Sequence, residues 1–206
     1  MIIAIDGLTA AGKGTLAKRL AASLGFHHLD TGLIYRAVGA KLLAGGADPA
    51  DAARAEAAAR ALEPADLRRE GLRSEAASRA ASIVAAIPGV RAALVEFQRR
   101  FARQAPGAVL DGRDIGTVIC PDATVKLFVT ASPEIRARRR FDELQARGES
   151  ATYPAVFRDL QERDARDQAR GTAPAKPAED AIVLDTSALT ADQVFDRALE
   201  IVRSRR

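Results

Sequence analysis

Apolar residues fall along this chain in two rhythms. Short unbroken runs occupy 2–6, 108–111, 125–130 and 181–185, with a briefer candidate at 27–29. They lack the polar alternation of a strand with one wet face, so they predict a parallel sheet covered by helices on both sides. Helical spacing fills the intervals, over 16–24, 31–43, 50–62, 74–86, 90–103, 132–147, 153–170 and from Thr190 onward, where Thr190 suits an N-cap. The alternation predicts an α/β protein of three layers around a mostly five-stranded parallel sheet.

No strand is predicted between Leu29 and Ala108, which points to an inserted helical subdomain at about 41–91. Pro88-Gly89 separates its last two helices, since proline lacks an amide donor and glycine permits the turn. The alanine-rich stretch 51–61 is a strong helix former without chemistry of its own. Gly148-Glu149-Ser150 separates two charged helices and makes about 145–158 a candidate lid, while 172–177, with Pro174 and Pro177, is a loop.

The chain's 206 residues suffice for a single domain over 1–206 with a full core. No leader-like segment opens the chain and no apolar run approaches the ~20 residues of a membrane helix, so a soluble, cytoplasmic protein without a membrane partner is expected. Cys120 is the single cysteine and is expected to be a buried small hydrophobe; neither it nor His27-His28 has metal-ligand spacing. An isoelectric point near 9.6 raises the question of nucleic acid, but the net charge is only +4 and aromatic residues make up 4%. Base stacking would have little material, and a nucleic-acid partner is not expected. The basic residues are arginine by a wide margin, with only five lysines. Arginine's planar fork suits small polyphosphates.

Gly7-Leu8-Thr9-Ala10-Ala11-Gly12-Lys13-Gly14-Thr15 lies between the first predicted strand and the first predicted helix. In that setting the glycines let backbone amides converge on phosphate oxygens, the helix start adds partial positive charge, and Lys13 reaches the β- and γ-phosphates. All nine residues are therefore candidate ATP-binding positions. The hydroxyl that usually follows the lysine arrives one residue late, at Thr15, so direct ligation of Mg²⁺ by the loop is not expected. Gly-Lys-Gly-Thr resembles the version in nucleoside monophosphate kinases, which implies Mg²⁺ entering as MgATP, held largely by phosphates and water.

Four further clusters offer an acceptor site. Asp30-Thr31 opens a helix that carries Arg36, so a helix start and a guanidinium could share one phosphate. Asp111-Gly112-Arg113-Asp114 follows a strand's carboxyl end, where open α/β sheets place ligands. There Asp111 can orient water on Mg²⁺, Arg113 can bridge donor and acceptor phosphates, and Asp114 can accept hydrogen bonds. Arg163, Asp167 and Arg170 share one helix face with Arg166 beside them, and Arg136, Arg139 and Arg140 share another that could touch the donor nucleotide. Ser82 and Arg91 flank the Pro88-Gly89 break. On the residues alone, a kinase for another small acceptor, a nucleotide-binding switch and a nucleic-acid-binding ATPase stay open. The guanine-reading Asn-Lys-x-Asp loop is excluded, because the chain has no asparagine.

Taken together, Gly-x-x-x-x-Gly-Lys-Gly-Thr, Leu29-Asp30-Thr31-Gly32-x-x-Tyr35-Arg36, Asp111-Gly112-Arg113-Asp114-Ile115-Gly116-Thr117 and Glu162-Arg163-Asp164-x-Arg166-Asp167-x-x-Arg170 resemble the bacterial cytidylate kinases over the length of the chain. The resemblance implies a P-loop kinase fold with a monophosphate-binding insert and a short lid. It implies an ATP:(d)CMP phosphotransferase of pyrimidine nucleotide metabolism, with ATP and CMP or dCMP as its partners, expected to be a monomer. It further implies Thr31, Arg36 and Arg113 on the acceptor phosphate, Ser82, Arg91 and Asp114 on cytosine, Arg163 and Arg170 on phosphates, and Asp167 on the sugar. Lys13, Arg113, Arg163 and Arg170 are the implied catalytic residues. Cytosine presents an amino donor beside two acceptors, a polarity that Asp114 with Arg91 and Ser82 would match. Small strands are common in the family's insert, but 41–73 is short here and its periodicity predicts helix, broken at Pro64 and Gly71.

Overall fold

Residues 1–63, 65–169 and 173–205 are described by the computed structural model, in which the chain forms two units, Met1–Leu29 with Ala102–Arg206 and Asp30–Phe101. The first unit is built on a five-stranded sheet of β1 (Ile2–Gly7), β2 (His27–Asp30), β3 (Ala108–Asp111), β4 (Val125–Thr130) and β5 (Ile182–Asp185). Their spatial order is β2-β3-β1-β4-β5. Parallel pairing sets Ile3 opposite Val109, Ile5 opposite Leu127 and Val129 opposite Leu184.

The apolar central strands β1, β3 and β4 follow from cover on both faces, whereas the edge strands β2 and β5 are partly exposed. Ile3, Ile5, Val109, Leu127, Val129 and Leu184 form one core with Leu16 and Leu20 of α1 (Lys13–Leu24) and Val194, Ala198 and Val202 of α8 (Ala191–Arg203). The intervening residues Ala4 and Asp6 are buried as well. A capping box between Thr190 and Gln193 starts α8, as the sequence predicts for Thr190. From β1 the chain crosses to one side of the sheet and from β4 to the other. The carboxyl ends of these adjacent strands therefore lie at a topological switch point, where ligands bind.

The helices α6 (Pro133–Ala146) and α7 (Tyr153–Gln168) connect β4 to β5. Ser132 caps α6, accepting from the Ile135 amide at 3.4 Å. Their connection carries Gly148, and Arg138 stands over the rings of Phe141 and Tyr153 at 5.9 and 5.4 Å. One element went unforeseen, a π-helical turn at Ile115–Ile119. Asp6 accepts its first two free amides, those of Ile115 and Gly116, at 2.7 Å each, and i→i−5 bonds from Ile119 to the Asp114 carbonyl and from Cys120 to the Ile115 carbonyl close the turn.

The second unit is helical: α2 (Thr31–Ala44), α3 (Ala52–Arg60), a 3₁₀ turn (Asp66–Arg68), α4 (Glu75–Val84) and α5 (Pro88–Ala102). Asp30, Asp51 and Ser74 cap α2, α3 and α4. Among the described residues of 41–73 there is no strand, and Asp66 fastens the segment by accepting from Lys41 Nζ and the Glu63 amide at 3.0 Å each. Pro88 begins α5 instead of preceding it, because a first-turn amide needs no helical acceptor. Pro64 lies outside the described residues, as do Arg170, Gly171 and Thr172. Among the described residues no single helix is long and apolar enough to cross a membrane.

Candidate active site

Strand β1 ends at Gly7 with φ +143°, and a Cβ there would stand 1.9 Å from the Val129 carbonyl oxygen, so only glycine lets the chain leave the sheet at this point. The following loop turns through Ala10 at φ 59° and Gly12 at φ 94° into α1. No side chain caps α1 and its first turn holds no acid, which leaves its leading amides available to an anion. Lys13 bends back over the loop and donates to the Leu8 carbonyl at 2.7 Å. Leu8, Thr9, Ala10 and Ala11 thus form the loop, with Gly14 and Thr15 in the first turn of the helix.

Two arginines brace the loop at Thr9. Arg113 donates to the Thr9 hydroxyl at 2.7 Å and, through Nε, to Asp167 at 2.8 Å. Arg136 donates to the Thr9 carbonyl at 3.3 Å and pairs with Asp164 at 2.7 Å. The loop is therefore tied twice to α7, through acids one turn apart. Thr186 adds a third brace, its hydroxyl donating to the Ala11 carbonyl at 3.2 Å while Arg139 donates to that hydroxyl at 2.9 Å. Of the three arginines predicted to share a face of α6, Arg136 and Arg139 brace the loop and Arg140 pairs with Glu143.

The charges are arranged for an anion. Lys13 is 6% exposed, and burial, then the nearby Arg113, hold its ammonium well below the usual lysine range, with Arg163 pushing the same way and Asp111 opposing. Burial works to lower the Arg113 value, but the charge and hydrogen bond of Asp167, with Asp164 and Asp111, raise it. Burial raises the Asp164 carboxyl against the pull of Arg136. Phosphate oxygens would offset both the burial and the nearby arginine charge that depress Lys13.

Asp111 closes β3, is buried, and accepts from His28 Nε2 at 2.7 Å. Its Oδ2 lies 3.8 Å from where a Cβ on Gly14 would stand, facing the start of α1. Asp114 is buried at the head of the π-helical turn, and its charge raises Asp6. The donors at hand fit Mg²⁺ in kind: one carboxylate and one late hydroxyl, both hard oxygens, beside a loop for phosphates. Among the described residues no cluster of three or more acidic, histidine or cysteine side chains forms a metal cage.

In the helical unit, Asp30 faces Arg36 at 3.7 Å and Arg73 at 3.3 Å while capping α2, the helix that opens at the buried Thr31. Arg73 escaped the sequence reading because it lies 43 residues from Asp30. Ser82 and Arg91 are both buried; Arg91 reaches across the break to the Ala85 carbonyl at 3.4 Å and lies 5.9 Å from the centre of the Tyr35 ring. Arg170 falls outside the described residues. His28 and Thr186 are functional candidates the sequence reading missed, since their side chains bond to Asp111, 83 residues away, and to Ala11 and Arg139, 175 and 47 residues away.

The family model for cytidylate kinase matches residues 3–204. A cytidylate kinase of Paramagnetospirillum magneticum is 65% identical over 208 residues, covering 100% of this chain and 99% of that protein. One from Azorhizobium caulinodans is 61% identical over 206 residues, covering 100% of both. Among solved structures, shikimate kinase from Bacteroides thetaiotaomicron superposes with a TM-score of 0.53 at 13% identity over 98% of each chain, a likeness of fold.

Proposed function

Because this chain belongs to the cytidylate kinase family and is therefore a phosphotransferase, we propose that it transfers the γ-phosphoryl group of MgATP to CMP or dCMP, yielding CDP or dCDP and ADP. The observation that supports this reading best is the phosphate loop itself, with Lys13 folded back onto the Leu8 carbonyl and Arg113 and Arg136 both bonded to Thr9 while paired with Asp167 and Asp164. ATP occupies the loop from Gly7 to Thr15. Thr31, Arg36 and Arg113 hold the acceptor phosphate, Ser82, Arg91 and Asp114 read cytosine, Arg163 and Arg170 steady phosphates, and Asp167 meets the sugar. Residues 41–91 form the monophosphate-binding insert and residues 145–158 the lid.

The acceptor oxygen is already anionic at neutral pH, so no side chain needs to remove a proton. Catalysis is then positioning and charge stabilisation. Lys13, Arg113, Arg163 and Arg170 meet negative charge as it shifts across the transferring group, and losing one such donor costs ~2.7–4 kcal/mol, or about 10²–10³ in rate. Bound Mg²⁺ supplies charge neutralisation between donor phosphates; Asp111 would hold it through water and Thr15 is the nearest hydroxyl of the loop. Arg113 must exchange Asp167 for phosphate when the acceptor binds, which frees Asp167 for the sugar. The enzyme works as a cytoplasmic monomer, with no nucleic-acid or membrane partner.

ADP release from MgATP with CMP, dCMP, UMP, AMP, GMP and shikimate, against a no-acceptor control, tests the reading. Activity is expected with CMP and dCMP. Uracil turns the group facing Asp114 from an amino donor into a carbonyl, a mismatch that a hydrogen-bonding site rejects by orders of magnitude. Asp114→Ala is expected to collapse the preference for CMP over UMP. An unchanged preference in that variant would remove the base-reading role, and undiminished turnover in Lys13→Met would overturn the phosphoryl-transfer role of the loop.

A further inference from the structure

His28 projects from β2 toward the end of the neighbouring β3 and makes one short bond to a carboxylate 83 residues away. A carboxylate only accepts, so His28 Nε2 carries the hydrogen and donates to Asp111 Oδ1 at 2.7 Å. The terminal torsion of an aspartate is broad and soft, and one fixed oxygen is enough to set the plane of the group. With Oδ1 engaged by His28, Oδ2 is the oxygen turned toward Gly14 and the start of α1. Both side chains are largely shielded, at 19% and 8% exposure, so water competes weakly for the bond. A residue needed only to fill the sheet edge would be served equally by an apolar side chain, which could not orient Asp111.

We propose that His28 is a positioning residue that holds the Asp111 carboxylate in the orientation suited to the water shell of the Mg²⁺ that arrives with ATP. The inference rests on the reading of this loop as a MgATP site. Groups that orient a metal's carboxylate typically contribute 10–100-fold in metal affinity when removed. His28 touches neither nucleotide nor metal and acts only through Asp111. Its effect therefore belongs to the metal-linked part of donor binding and not to the loop's hold on phosphate.

The test is calorimetric titration of wild type, His28→Leu, His28→Gln, Asp111→Asn and the double variant His28→Leu/Asp111→Asn with a non-hydrolysable ATP analogue, once with Mg²⁺ and once in chelator. His28→Leu is expected to weaken binding about tenfold with Mg²⁺ and to leave metal-free binding unchanged, which also reports that the variant is folded. His28→Gln keeps a neutral donor and is expected to recover most of the loss. In the Asp111→Asn background, His28→Leu should add little. Equal Mg²⁺-dependent affinity in His28→Leu and wild type, parallel loss with and without metal, or a full His28→Leu effect on top of Asp111→Asn would each overturn the proposal. A wild-type enzyme that binds the analogue with Mg²⁺ but phosphorylates neither CMP nor dCMP would instead overturn the substrate reading and leave this test standing.

Discussion

Asp6 shows how one buried carboxyl links the end of β1 to the turn that follows β3. It accepts the amides of Ile115 and Gly116 and thereby shapes the turn that begins at Asp114. Burial is the dominant influence and lifts its pKa to about 6, against the lowering effect of those two amides and of Lys13 and with a further push from Asp114. The folded value lies above the unfolded one, so the fold favours the protonated form. The resulting stability is fully present below about pH 4 and is lost as pH rises through about 6, a swing of about 3 kcal/mol. A carboxyl-carbon NMR titration is expected to place the Asp6 midpoint near 6. In urea unfolding, the advantage of wild type over Asp6→Asn should be widest near pH 4 and narrow toward pH 7. A midpoint near 4, or an advantage that does not change with pH, would contradict the burial argument.

At the scale of elements, close helix contact governs the helical unit. Gly39 on α2 meets Ala80 on α4, and a Cβ there would stand 2.7 Å from the Ala80 Cβ and 3.1 Å from its carbonyl carbon. Gly39→Ala would gain about 1 kcal/mol in helix propensity, but overpacking of this kind costs about 1–3 kcal/mol and backbone cannot move aside cheaply. Gly39→Val adds two methyl groups beyond that Cβ and has no such offset in full. Urea unfolding is expected to show Gly39→Val destabilised by at least ~1 kcal/mol, with part of the loss recovered on adding Ala80→Gly, whose smaller side opens the same space. Additive effects would mean the two positions do not share the contact. The same contrast explains what the sequence could disclose. β1, the phosphate loop, the cap at Thr190 and the helical character of 41–73 are local patterns and were legible, as was the burial of Cys120. Charge pairing was not. Helical spacing groups Asp167 with Arg163 on one face, whereas the bond it makes runs to Arg113, 54 residues away. The π-helical turn was equally hidden, because the carboxylate that binds its first amides, Asp6, lies 109 residues upstream of Ile115.

At the scale of the whole molecule, the lid proposed at 145–158 spans the connection between α6 and α7 in the unit that holds the sheet. Residues 147–152 join α6 to α7, and α7 carries Arg163, Asp164 and Asp167, whose charges are engaged with Lys13, Arg136 and Arg113. A segment that covers a phosphoryl-transfer site must exclude water while both nucleotides are present, and such closures occur on microsecond to millisecond timescales. Here the connection is held lightly on its own account. Gly148 sits at φ 71°, Gln145 donates to the Ala151 carbonyl at 3.2 Å, and Arg147 pairs with Glu143 and Glu149 at the surface. Exposed pairs of this kind contribute little, so rearranging them is inexpensive in free energy. Brief trypsin digestion should therefore cut after Arg147 in the nucleotide-free protein. The cut is expected to slow severalfold when a non-hydrolysable ATP analogue and CMP are both bound, and to slow less with either alone, since only the pair recruits the arginines of α7 to phosphate. Equal cutting with and without both ligands, at ligand concentrations that saturate calorimetric binding, would show that residues 145–158 are a fixed helix connection and leave exclusion of water to the rest of the site.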